Sequence, residues 1–113
     1  MPERRNTSRK NFNYYMRVMD DETSKTLGHM VDISVQGLKL ETPVPLPLEK
    51  DYYLRIELTP DVGDRLYIIF MARTQWCKID DIQPNLYRCG FEIVEIMPDD
   101  QEIFLRILAK YGA

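Results

Sequence analysis

Histidine and tryptophan each occur once in this chain of 113 residues, cysteine twice and glycine five times. These scarcities exclude a good deal. Cys77 and Cys89 are too few for a disulfide framework and lack zinc-ligand spacing with His29, so no metal site is expected. There is no Gly-rich phosphate loop and no nucleophile elbow, and the carboxylates fall mainly in turn-like or helix-start segments, where solvated or capping roles explain them. No catalytic residue and no cofactor is therefore expected. No run of eighteen apolar residues occurs, and the charged N-terminus has no apolar stretch behind it. Neither a membrane span nor a signal peptide is expected, which makes a cytoplasmic protein the default.

What is present suits one compact domain: 44% of the residues are hydrophobic, enough for a modest core at this length. Charge is unevenly placed. Residues 1–10 carry Arg4, Arg5, Arg9 and Lys10 against Glu3, a side-chain sum of +3, whereas the whole chain is at −3, leaving −6 for the rest. An acidic body repels a long polyanion, so a compact anion suits this local positive field better than extended nucleic acid. The alternative is a solvated tail with no partner.

Along the chain, alternation dominates. "NFNYYMRVMD" puts Phe12, Tyr14, Met16 and Val18 on one face, and "TLGHMVDIS" puts Leu27, His29, Val31 and Ile33 on one face. On that reading His29 is a packed strand residue and no catalytic base. Leu38 and Leu40 alternate after Gly37, where a tight turn or bulge needs either positive φ or close backbone approach. "PVPLPLEKD" is an extended connection, because alternate prolines do not serve a central strand. "YYLRIEL", with Tyr53 or Tyr52 and then Leu54, Ile56 and Leu58 inward, "RLYIIFMARTQWCKI" and "LYRCGFEIVEI" supply three more strands. A hairpin at "DDIQPN" sets Cys77 nearly opposite Cys89, as two buried thiols.

Six short strands with hairpin turns predict a small antiparallel barrel, whose closure removes exposed edges. The period then changes. From about 98 to 111 the spacing predicts a helix, with Pro98 at its start, Asp99, Asp100 and Glu102 in its first turns and Gly112 at its stop. Ile103, Phe104, Ile107, Leu108 and Tyr111 form its apolar stripe, expected to pack on the barrel or close one end. The organisation is thus a basic arm at 1–10 and a mainly β domain at 11–113.

Two short patterns carry the functional reading. Arg5-x-x-x-Arg9, if extended, spans at most about 13 Å, enough to straddle a ligand with more than one anionic or acceptor group. Asp32-x-Ser34-x-x-Gly37 lies at a strand junction; taken alone, it reads first as a strand end whose side chains bond the turn backbone. In this order, followed by a "CGFEI" strand and an amphipathic helix, the patterns resemble the PilZ domain family over nearly the whole chain. That resemblance implies a six-stranded barrel that binds cyclic di-GMP. Arg5 and Arg9 would grip phosphate and guanine edges, Asp32 and Ser34 would line the pocket, and Gly37 would shape the turn and leave room for the base. Arg4, Asn6 and Lys10 are auxiliaries without a motif. Trp76 is expected as a core or surface aromatic ahead of a base platform.

The implied function is a single-domain receptor or adaptor whose arm orders on binding and which signals through a protein partner, in motility, exopolysaccharide or virulence control. Two other readings stay open. One is a PilZ-type interaction module that binds no nucleotide. The other is a small-barrel nucleic-acid binder using the arm with Tyr14 and Tyr15, against which the acidic body counts.

Overall fold

The computed structural model describes residues 16–111. The basic arm, Phe12, Tyr14, Tyr15 and Gly112 lie outside the described residues. Six strands follow in chain order: β1 (Arg17–Asp20), β2 (Lys25–Ile33), β3 (Gly37–Thr42), β4 (Asp51–Glu57), β5 (Tyr67–Ile79) and β6 (Tyr87–Glu95). They close into a barrel in the order β1-β2-β3-β6-β5-β4, and every neighbouring pair is antiparallel. Among the described residues one helix, α1 (Pro98–Tyr111), completes the expected architecture.

Alternation reads the core correctly where the strands are regular. Met16 and Val18 are buried at the start of the barrel, and Tyr52, Leu54 and Ile56 fill it from β4 while Tyr53 faces out. β1 has four residues, yet it closes the barrel, because Val18 pairs with Gly28 on one side and Ile56 on the other. β2 departs from the expectation. Met30 is the fully buried residue, and the β2–β3 register slips between Met30 and Asp32, which turns Ile33 inward again. Of the four residues expected on one face, Leu27 and Ile33 reach the core, whereas His29 and Val31 do not. His29 is half-buried with its Nε2 3.0 Å from Glu41 Oε1. Burial pushes its imidazole below the usual value, opposed by the Glu41 carboxylate.

The cysteines correct another expectation. Cys77 and Cys89 are direct cross-strand partners, as the hairpin predicts, but they are joined as a disulfide and are not two thiols. Both point to the inner side of the β5–β6 pair at the same register position, so their sulphurs meet. Cys89 is fully buried beside the Thr42 hydroxyl.

Helix α1 lays Ile103, Phe104, Ile107 and Tyr111 into the barrel, with Phe104 edge-on to Phe70 at 5.5 Å between ring centres. Each square ångström of apolar area so covered stabilises by about 25 cal/mol. The loop between β4 and β5 straps the helix down. Arg65 bonds Asp100 at 2.8 Å, Arg106 donates to the Val62 carbonyl at 3.1 Å, and the Tyr111 hydroxyl and Lys110 both reach Asp61.

Phe104→Ala removes the largest fully buried side chain and should cost about 3–5 kcal/mol in urea denaturation, whereas the exposed Leu105→Ala should stay within about 0.5. Asp61 supplies a pH dependence. Hydrogen bonds from Thr59, then Tyr111, hold its carboxyl far below the usual carboxylate range, with Lys110 adding a smaller effect. A folded-state pKa below the unfolded value, about 3.9, gives stability that is present above that value and lost as pH falls. The denaturation midpoint should therefore drop below about pH 4, and Asp61→Asn should lower it at neutral pH and flatten its acid slope. An unchanged acid slope in that variant would exclude the link.

Candidate functional site

The outer face of the barrel carries a cleft of about 520 Å³, lined from β2, β3, β5, β6 and the turn between β2 and β3. Two irregularities create it. In β2 the slip between Met30 and Asp32 turns Asp32 outward, although uninterrupted alternation from the buried Met30 would send it into the core. In β5 a matching slip between Thr74 and Trp76 does the same for Trp76, counted from the buried Thr74. Both end on one transverse row: Asp32 pairs with Lys39, Lys39 with Gly90, and Gly90 with Trp76. Four strands thereby offer a carboxylate, an ammonium, a bare backbone and an indole in line.

Glycine is required at two points of this surface. A Cβ on Gly90 would lie 2.4 Å from Trp76 Cε2, so the indole rests directly on the β6 backbone. A Cβ on Gly37 would lie 1.9 Å from the Phe91 carbonyl oxygen. No described glycine has positive φ, so of the two reasons foreseen for Gly37 it is close approach that applies. Ser34 and Gly37 close their turn by exchanging backbone bonds, Ser34 N–H to Gly37 O at 2.8 Å and Gly37 N–H to Ser34 O at 3.3 Å. The turn is pinned to β6 by Ile93 N–H donating to Gln36 O at 2.8 Å. Asp32 accepts from the Ile33 N–H at 2.9 Å through one oxygen, and its other oxygen lies 3.7 Å from Lys39 Nζ. Asp32, Ser34 and Gly37 thus all line the cleft. Arg4, Arg5, Asn6, Arg9 and Lys10 lie outside the described residues.

The family model for the PilZ domain matches residues 3–110. The chain belongs to the PilZ domain family. By sequence, no curated protein matches it. Three solved structures share the fold. The PilZ domain of YcgR from Escherichia coli with c-di-GMP is 15% identical at a TM-score of 0.60, over 86% of this chain and 80% of that one. The Bacillus subtilis inhibitor of motility MotI/DgrA is 17% identical at 0.62, over 84% and 44%. K. pneumonia MrkH in its apo state is 16% identical at 0.65, over 88% and 47%. This PilZ chain therefore spans under half the length of MotI and MrkH.

Several residues of the PilZ cleft were not singled out by the sequence. Trp76, expected as a core or surface aromatic, forms a wall of the cleft, with Lys39 Nζ 5.9 Å and Lys78 Nζ 5.3 Å from its ring. Gln75 and Glu92 also line it, joined by a hydrogen bond of 3.2 Å. The signal for Trp76 was a broken alternation, Thr74-Gln75-Trp76-Cys77, that only the register resolves.

Gly90→Ala tests the indole's seat. The added methyl should lift Trp76 off β6, seen as a red-shifted emission of the chain's one tryptophan and loss of its near-UV circular dichroism, with far-UV signal retained. Unaltered emission would mean that the ring does not depend on that contact.

Proposed function

We propose that the chain is a cyclic di-GMP receptor that closes its N-terminal arm over the outer-face cleft. The observation that carries this reading is that Asp32, Ser34 and Gly37, matching the Asp-x-Ser-x-x-Gly pattern, line one cleft together with a half-buried indole and a lysine. The position of the arm's attachment supports it. Met16, the first described residue, accepts a hydrogen bond from Met30 N–H at 2.9 Å, at the Asp32 end of β2.

The chemistry fits the parts. Cyclic di-GMP offers two phosphates and two guanines. Arg5 and Arg9 give planar, permanently charged forks for phosphate and the guanine O6/N7 edge. Asp32 accepts from guanine N–H groups, Ser34 bonds the sugar-phosphate, and Gly37 keeps the approach open. Trp76, lying flat on Gly90, offers its other face to a base, and Lys39 lowers the cost of bringing a phosphate beside Asp32. Closure of a basic arm on an anion is an order–disorder device, and its readout is a surface presented to a protein partner.

Calorimetric titration with cyclic di-GMP, GTP and a short single-stranded oligonucleotide tests the reading. Cyclic di-GMP alone should bind saturably. Arg5→Ala and Arg9→Ala each remove charge-assisted bonds of about 1.5–3 kcal/mol, so each should weaken binding by roughly 10- to 150-fold. Trp76→Ala should cost about 1–3 kcal/mol if a base stacks there. Heat from none of the three ligands would leave a PilZ-type interaction module without nucleotide; heat from the oligonucleotide would favour a nucleic-acid binder.

A further inference from the structure

Beside the cleft, and sharing Gln36 and Glu92 with it, exposed apolar side chains gather where β6 runs into α1. Val35 is 66% exposed, Met97 64% and Leu105 42%. Val35 sits at the tip of the turn between β2 and β3, Leu105 on the outward side of α1, and Met97 in the link before it. Two further clefts meet here, of about 160 and 340 Å³, with Ile96 lining both. Val35, Phe104 and Leu105 wall the first; Tyr53, Met71 and Met97 wall the second. An apolar strip therefore runs from the turn across the start of α1 to β4, the kind of continuous patch that partner recognition uses.

Charge narrows what can cover it. Glu92 borders the first cleft, and Glu95 and Asp100 the second. Among the described residues, no lysine or arginine lines either one. Arg65 offsets Asp100 at 2.8 Å, and Arg73, the cross-strand partner of Glu92, acts on it by charge while its guanidinium bonds Asp51; Glu92 itself is hydrogen-bonded by the neutral Gln75, and Glu95 and the exposed Asp99 in the first turn of α1 add further negative charge. We propose that this strip is a docking surface for a segment of a partner protein that presents apolar side chains flanked by lysine or arginine. A second copy fits less well, because a two-fold contact through this patch would set one acidic surface, with Glu92, Glu95 and Asp99, against another of the same sign. The chain's own residues 1–10 have the charge but, apart from Met1 and Pro2, no apolar side chain to fill the clefts.

The surface does not rest on the nucleotide reading, so it is tested without cyclic di-GMP. Random phage-displayed peptides are selected on the full chain, and the enriched ones are synthesised and titrated by fluorescence anisotropy. Enrichment of apolar residues beside Lys or Arg is expected, with affinity that falls as salt rises. Leu105→Glu and Glu95→Lys should each weaken those peptides by at least about tenfold while the urea midpoint holds, since both residues are exposed. Enriched peptides that are acidic or uncharged, or that bind both variants as well as the parent, would overturn the proposal. So would no enrichment at all. A parent dimer in sedimentation that Leu105→Glu dissociates would give the strip to a second copy. Peptide uptake only after Arg4, Arg5 and Arg9 are changed to serine would give it to the chain's own arm.

Discussion

The pairing of β3 with β6 is the junction on which both the core and the site depend. It joins β1-β2-β3 to β6-β5-β4 through six consecutive pairs, from Gly37 opposite Glu92 to Thr42 opposite Tyr87. Its inner side supplies Leu38, Leu40, Cys89 and Phe91 to the core; its outer side supplies Gly37, Lys39, Gly90 and Glu92 to the cleft. These strands are far apart in sequence, so their pairing forms only once the loop-closure entropy of the intervening β4 and β5 has been met. Core burial is what offsets that entropy, and a correctly registered core brings the site with it. A one-residue slip would exchange the two sets.

The division of charge follows from this arrangement. A barrel that bears −6 outside its arm is poorly suited to hold a long polyanion. Within the cleft, however, Lys39 and the nearby Lys78 flank Trp76, and Asp32 is accompanied by an ammonium 3.7 Å away. The local field at the cleft is thus milder than the net charge implies, and the four cations at positions 4, 5, 9 and 10 are carried on the segment that leads into Met16. Under the two proposals above, acidic surface beyond the cleft, at Glu95 and Asp100, disfavours an anion on the wrong part of the barrel and suits a basic partner segment.

Much of the fold was legible because most of the strands obey simple alternation. β4 and the lower part of β3 keep one apolar residue in two, and α1 keeps its stripe from Ile103 to Tyr111. The cleft was legible only in part. Asp32, Ser34 and Gly37 form a local pattern within six residues, so spacing alone finds them. Trp76 shares no local pattern with them; it reaches their row through three strand pairings that no local window contains. His29 was misplaced for a related reason. "LGHMVDI" offers two possible faces, and the bulge that follows Met30 decides between them. The cysteines fall between the two cases, since the hairpin gave their opposition but not their bond.

The two bulges explain why those failures coincide with the site. A regular barrel of this size would face Asp32 and Trp76 inward, where an unpaired carboxylate is costly and the indole would overfill a core that already holds Phe70, Phe91 and Phe104. One extra residue in β2 and one in β5 reverse both side chains while leaving Met30, Ile33 and Thr74 buried. Because the bulges flank β3 and β6 on opposite sides, the two reversed residues finish on the same row with Lys39 and Gly90 between them. Each bulge gives up a ladder position and gains an outward functional group. The row needs a residue without a side chain at its centre, and Gly90 meets that need: with any other residue there, the indole could not lie against the strand it faces.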